Sequence, residues 1–154
     1  MTRNWIVGGR DRRLSVIVAA FGLTLALGAP AAHAAPALVL TVDTEAIVNG
    51  VELACTGIGQ TREEARWQSY AVRVEFSNAR NEYLVDGAIA VRDSAGRELL
   101  SVRCDAPWIL LRLPKGAYRI EATLPGSVAK PRSAAVASPA QGQMRVVMQF
   151  PDAS

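Results

Sequence analysis

Apolar and polar residues alternate with a period of two along much of the chain. Such a period places successive side chains on opposite faces of a β-strand, so each run predicts a half-buried strand. The runs that show it cover residues 51–55, 70–76, 85–91, 100–104, 118–124 and 144–150. The segment around residues 109–113 is more uniformly apolar, which predicts a central strand.

Turn-forming residues separate these runs. Asn49-Gly50 is the strongest hairpin signal and predicts a type I′ turn between residues 38–48 and 51–56. Further reversals are predicted at residues 93–96, 114–116, 125–126 and 138–142. Short strands at roughly ten-residue spacing indicate an all-β fold, an antiparallel sandwich or barrel.

One segment departs from the strand pattern. Thr61-Arg62-Glu63-Glu64 has the form of a capping box, in which a threonine hydroxyl and a glutamate side chain satisfy backbone N–H groups at a helix start. We therefore predict one short helix near residues 61–69. The chain contains no internal repeat, and residues 35–154 are expected to form a single domain.

The first 34 residues have the layout of a secretory signal peptide. Four arginines between residues 3 and 13 precede an apolar run over residues 14–27. That run is shorter than the roughly 20 residues that span a bilayer. Small residues then predict cleavage between Ala34 and Ala35, and export to a bacterial periplasm or beyond. An uncleaved N-terminal anchor is the alternative.

The charge balance depends on this signal. The 154-residue chain has 17 Lys and Arg against 14 Asp and Glu. Four of the arginines and Asp11 lie in residues 1–34, so residues 35–154 hold 13 residues of each sign. A nucleic-acid partner is excluded because its binding needs basic residues clustered on the folded domain. Membrane contact is expected only through the signal peptide.

The only histidine, His33, also lies in the predicted signal. The processed chain then lacks the imidazole that Ser-His-Asp sites, Cys-His sites and the usual zinc sites require. No catalytic, metal or cofactor site is predicted. We therefore expect a non-catalytic module with a protein or cell-envelope partner, in an interaction or structural role. A hydrolase that relies on carboxylates alone is motivated only by the number of acidic residues.

Two tryptophans provide a different functional hypothesis. Trp67 and Trp108 are the large aromatic residues of the predicted domain. Exposed on a sandwich face, either ring would stack on a sugar, as in a carbohydrate- or peptidoglycan-binding module. Burial in the core is the commoner fate of tryptophan.

Cys55 and Cys104 remain after processing. The alternation places both side chains on core-facing positions. An exported protein meets an oxidising compartment, in which a disulfide is stable. The two residues are therefore predicted either to form a bridge, which we favour, or to remain as two buried thiols that pack as small apolar groups.

Three motifs resemble a known family. They are Gly87-Ala88-Ile89-Ala90-Val91-Arg92-Asp93-Ser94-Ala95-Gly96, then Asp105-Ala106-Pro107-Trp108, then Leu113-Pro114-Lys115-Gly116-Ala117-Tyr118. Residues 55–150 resemble a carboxypeptidase regulatory-like domain, as found in small exported bacterial proteins. The resemblance implies a transthyretin-like (prealbumin-like) β-sandwich of about seven strands without catalytic activity. Asp105-Ala106 departs from the Asp-Gly that is frequent in the family.

Overall fold

The computed structural model describes residues 37–153, which form two five-stranded sheets packed face to face. Sheet 1 has the strand order β1-β6-β5-β8-β9, and sheet 2 has the order β10-β4-β7-β3-β2. The strands are β1 (Leu38–Leu40), β2 (Thr44–Val48), β3 (Val51–Thr56), β4 (Val72–Ser77), β5 (Gly87–Asp93), β6 (Glu98–Cys104), β7 (Trp108–Leu111), β8 (Gly116–Thr123), β9 (Arg132–Ser138) and β10 (Met144–Gln149).

The predicted all-β sandwich is confirmed, with two corrections to its detail. The described residues contain ten strands where about seven were expected. Two pairings at the sheet edges are parallel, β1 with β6 and β10 with β4, whereas an antiparallel arrangement was predicted. The chain crosses between the two sheets after β1 and before β10, so each of these edge strands lies beside a strand that is distant in sequence.

Most predicted strands and turns occur where the pattern placed them. β7 is the central strand of sheet 2, as expected from its apolar sequence. Asn49 and Gly50 have φ values of 50° and 82°, as a type I′ turn requires. The first predicted strand is interrupted at Asp43, whose φ is 57°, so that β1 and β2 belong to different sheets. β9 was not predicted, because its alanines and serines alternate only weakly in hydropathy.

The segment near residues 61–69 has helical turns as predicted, but they do not form one continuous helix. Two short 3-10 helices, Thr61–Glu63 and Ala65–Ser69, occupy the segment and are separated at Glu64, which is extended. Thr61 does not cap a helix: its hydroxyl donates to Oδ2 of Asp43 at 2.8 Å and lies 3.0 Å from the carbonyl oxygen of Ile58. These contacts engage the side chain that a capping box would need.

The core lies between the sheets and is built from the inward faces of the alternating strands. Phe76 of β4 stacks on Phe150, with 6.1 Å between ring centroids. A Cβ atom added to Gly87 would lie 2.4 Å from the Phe76 ring, so a glycine is required for this close approach. The sandwich core is continuous from sheet to sheet.

The predicted signal peptide and its cleavage position at Ala34 and Ala35 lie outside the described residues. Within residues 37–153, no helix has the length and apolar character to cross a membrane. The same part of the chain contains no cluster of three or more His, Cys, Asp or Glu side chains that could hold a metal ion.

Candidate functional site

The two cysteines are bonded to each other across the sandwich, which confirms the predicted bridge. Cys55 of β3 lies in sheet 2 and Cys104 of β6 lies in sheet 1, with 5.5 Å between their Cα atoms. Both are fully buried in the core. The disulfide therefore joins the inner faces of the two sheets, and the alternative of two free thiols is excluded.

Both tryptophans are buried, which contradicts the hypothesis of an exposed stacking platform. Trp67 is 2% exposed, packs beside Tyr70 on the outer face of sheet 2, and donates from Nε1 to the Thr61 carbonyl at 2.7 Å. Trp108 is 8% exposed, with the Arg73 guanidinium 4.6 Å from its ring centroid. Arg66 lies 4.0 Å from the centroid of the first ring, and Arg73 and Tyr83 pack against the second.

The most unusual polar group of the described residues is the carboxylate of Glu75. It lies on the outer face of β4 and is 1% exposed. Nη2 of Arg145, on the adjacent strand β10, donates to its Oε2 at 2.6 Å. Nε of Arg73 lies 2.9 Å from Oε1, but the two atoms are not aligned for a hydrogen bond. The bond to Glu75 holds the pKa of the Arg145 guanidinium above its usual value.

A groove of about 370 Å³ lies directly over this ion pair. We call it the β10 groove, and it is lined by Glu75, Ser77, Asn81, Tyr83, Arg145, Val147 and Gln149. The antiparallel bridge between Ser77 and Tyr83 holds the tyrosine beside β4. The hydroxyl oxygen of Ser77 is buried and has no hydrogen-bond partner among the described residues. A buried, unsatisfied hydroxyl costs roughly 1–3 kcal/mol, so a partner supplied by a ligand or by solvent would be stabilising.

The strand that forms one wall of the groove is also a free sheet edge. The amide of Met144 donates to the carbonyl of Ala71, and the amide of Phe150 donates to the carbonyl of Ser77, so both bonds point toward β4. Alternate residues of a parallel edge strand bond to the neighbouring strand. The N–H and C=O groups of Arg145, Val147 and Gln149 therefore point away from β4, and within residues 37–153 no strand pairs with them.

Two turns next to the strands are held by local contacts. Asp93 caps the β5–β6 turn, where its Oδ1 accepts the amides of Ala95 and Arg97 at 3.0 Å each. Gly57 and Gly59 have positive φ values, so this segment is a turn. Gly57 lies so close to the Trp108 ring that an added Cβ would be 2.7 Å from it.

Sequence reasoning missed the groove. Glu75 and Arg145 are 70 residues apart, and only the pairing of β10 with β4 brings them together. The one available signal was the alternation in each strand, which places Arg73 with Glu75 and Arg145 with Gln149 on faces opposite the core.

Comparison with protein-family models and with curated proteins finds no match to this chain.

Proposed function

We propose that this chain is a non-catalytic, exported module that binds an extended segment of a partner protein at the free edge of β10. The observation that carries the proposal is that Arg145, Val147 and Gln149 present unpaired backbone groups on the edge of β10 and side chains to the adjoining groove. Addition of a strand to a sheet edge uses these two features together: backbone bonds give affinity, and pockets for alternate side chains give specificity.

β10 is a suitable acceptor because its edge has few of the usual protective devices, and its one charged side chain, Arg145, is bonded to Glu75. Exposed edges are generally blocked by proline, by lysine, by a bulge or by covering segments. β10 contains neither proline nor lysine over Met144–Gln149, and it has no bulge, because its register with β4 is unbroken along six residue pairs. The edge of β2 differs, because the outward-facing Glu45 is already paired with Arg66 at 3.4 Å.

Export is supported by two independent features. Residues 1–34 have the pattern of a signal peptide. The Cys55–Cys104 bridge is of the kind that persists in oxidising compartments. Together they favour a periplasmic or secreted location.

Membership of the carboxypeptidase regulatory-like family is part of this proposal. The sandwich architecture supports it. So does the local structure of the motif at residues 113–118, where the Tyr118 hydroxyl donates to the Pro114 carbonyl at 3.0 Å and closes the reversal before β8. The non-catalytic character that the resemblance implies agrees with a groove whose lining contains a single carboxylate. Glycoside hydrolysis, for comparison, generally needs two.

The test is affinity capture from a periplasmic extract with matched edge variants. Val147→Pro removes an outward N–H and places a ring on the β10 edge, a position that tolerates proline because the N–H makes no bond to β4. Ile47→Pro makes the same change on the free edge of β2, where the register with β3 also leaves the Ile47 N–H facing outward. We expect a partner retained by the unmodified protein to be lost with Val147→Pro and kept with Ile47→Pro. The reverse pattern, or equal retention by all three proteins, would overturn the proposal.

A further inference from the structure

We infer that the β10 groove recognises a carboxylate, carried by an aspartate or glutamate side chain of the strand that β10 accepts. This inference rests on the proposed strand addition and names the chemistry of the partner. It follows from the charge, the free donors and the position of the groove relative to the edge.

The charge of the site favours an anion. Two guanidinium groups, those of Arg73 and Arg145, surround the single carboxylate of Glu75. The cluster therefore carries one positive charge in excess, and Glu75 is the only acidic residue that lines the groove. A carboxylate brought in by a partner would balance this charge, whereas a basic side chain would meet net repulsion.

Donors are available for the carboxylate. Arg145 uses Nη2 for Glu75, and its side chain remains 57% exposed. A guanidinium has five N–H donors in a planar fork that matches a carboxylate, so further donors are free for a second oxygen acceptor. The buried Ser77 hydroxyl, which has no partner among residues 37–153, is a further donor in the same groove.

The position of the groove fits a side chain of an added strand. Arg145, Val147 and Gln149 all project to the outer face of sheet 2, because Val146 and Met148 fill the core side of β10. In a sheet, side chains at facing positions of adjacent strands lie about 4.5–5.5 Å apart on the same face. A residue of the partner that faces Arg145 is therefore within reach of its guanidinium. The half-exposed Val147 and Tyr83 would contact the aliphatic part of the same side chain.

The experiment selects binding peptides from a random library, using the unmodified protein and variants of its β10 edge and groove. Random peptides of about eight residues, a length typical of strands, are panned against the unmodified protein, Val147→Pro, Arg145→Gln and Gln149→Glu. We expect the unmodified protein to enrich extended sequences with Asp or Glu at one fixed position. Replacing that residue by Asn or Gln should weaken binding about tenfold, the size expected for one charge-assisted hydrogen bond.

The two variants of the groove separate charge recognition from folding. Arg145→Gln should lose the preference for the acidic residue while still binding the peptide backbone. If it does not fold, Gln149→Glu serves the same purpose, because it adds a negative charge at the rim and leaves the Glu75–Arg145 pair intact. This variant should bind the acidic peptides more weakly, but it should bind the peptides with Asn or Gln at that position as well as the unmodified protein does.

The outcomes distinguish this inference from the proposed function. Enrichment of peptides without an acidic preference overturns the carboxylate inference and leaves strand addition standing. Enrichment that Val147→Pro does not abolish, or no enrichment by the unmodified protein, overturns strand addition at β10 and the inference with it. An acidic preference that persists in Gln149→Glu and Arg145→Gln places recognition elsewhere and contradicts the inference.

Discussion

Arg145 and Glu75 form an ion pair of 2.6 Å that ties the edge strand β10 to β4 across 70 residues of sequence. The carboxylate is fully buried, whereas the guanidinium is more than half exposed. One pair therefore does two things: it satisfies a charge that burial would otherwise make costly, and it holds a cationic group at the surface of a free edge.

We predict that Arg145→Ala lowers the free energy of unfolding by about 2–4 kcal/mol, because it leaves the buried Glu75 carboxylate with only the misaligned Arg73. Arg92→Ala is the matched control. It breaks an ion pair of 2.8 Å to Glu98 in which both side chains are about 40% exposed, and such surface pairs contribute less than about 1 kcal/mol. Urea unfolding measures both. An equal decrease in unfolding free energy for the two variants would show that the buried ion pair contributes no more to stability than the exposed one.

The disulfide should be a large contributor to stability. It joins residues 49 apart in sequence, and in the chain-entropy model a loop of that length corresponds to about 4 kcal/mol. Replacing Cys55 and Cys104 together by alanine should lower the unfolding free energy by an amount of that order. Reduction of the unmodified protein should give a similar loss in denaturant unfolding. Unfolding curves that coincide with and without reductant would refute a stabilising role.

Gly87→Ala tests the close packing of β5 on Phe76. The added methyl group would lie 2.4 Å from the ring, in a filled core, so overpacking should cost about 1–3 kcal/mol. Gly116→Ala is the control, since its Cβ meets nothing nearer than 3.5 Å and its backbone does not have a positive φ. Thermal unfolding should separate the two variants by several degrees. A Gly87→Ala protein as stable as the control would mean that the phenylalanine moves without cost.

The turn between β5 and β6 is expected to make the stability of the fold depend on pH. Hydrogen bonds from the Arg97 and Ala95 amides, together with the Arg97 side chain, lower the pKa of Asp93 below its ordinary value. The stabilisation is therefore present above the unfolded pKa of about 4 and is lost as pH falls through the lower folded value. Asp93→Asn keeps an oxygen that accepts the amides but removes the charge, so its melting temperature should fall less between pH 5 and pH 2. Parallel declines for both proteins would contradict this assignment.

The alternation of apolar and polar residues was sufficient to locate the strands, but it did not predict which strands lie side by side. Alternation located β4, β8 and β10 to within a few residues, and the Asn49-Gly50 pair located a hairpin. It carried no information on which strand lies beside β10, or in which direction, because pairing depends on contacts between distant segments. The groove was missed for that reason.

The outer face of sheet 2 illustrates a second limit. Period two assigned Glu75 and Ser77 to a polar face, which normally implies exposure. Both are buried. Segments outside the regular strands, including the bridge at Tyr83, cover that face. Trp108 lies beneath Tyr83 and Arg73, and Trp67 belongs to one of the covering segments. Both rings therefore pack against arginines and are not exposed to sugars.

Amide hydrogen exchange at β10 tests the central claim most directly. In the free protein, the amides of Arg145, Val147 and Gln149 should exchange faster than those of Val146 and Met148, which face β4. On addition of a peptide enriched by panning, the three outward amides should become protected, since they gain backbone bonds. Protection that instead appears at Glu45 and Ile47 of β2, or at no strand edge, would contradict strand addition at β10.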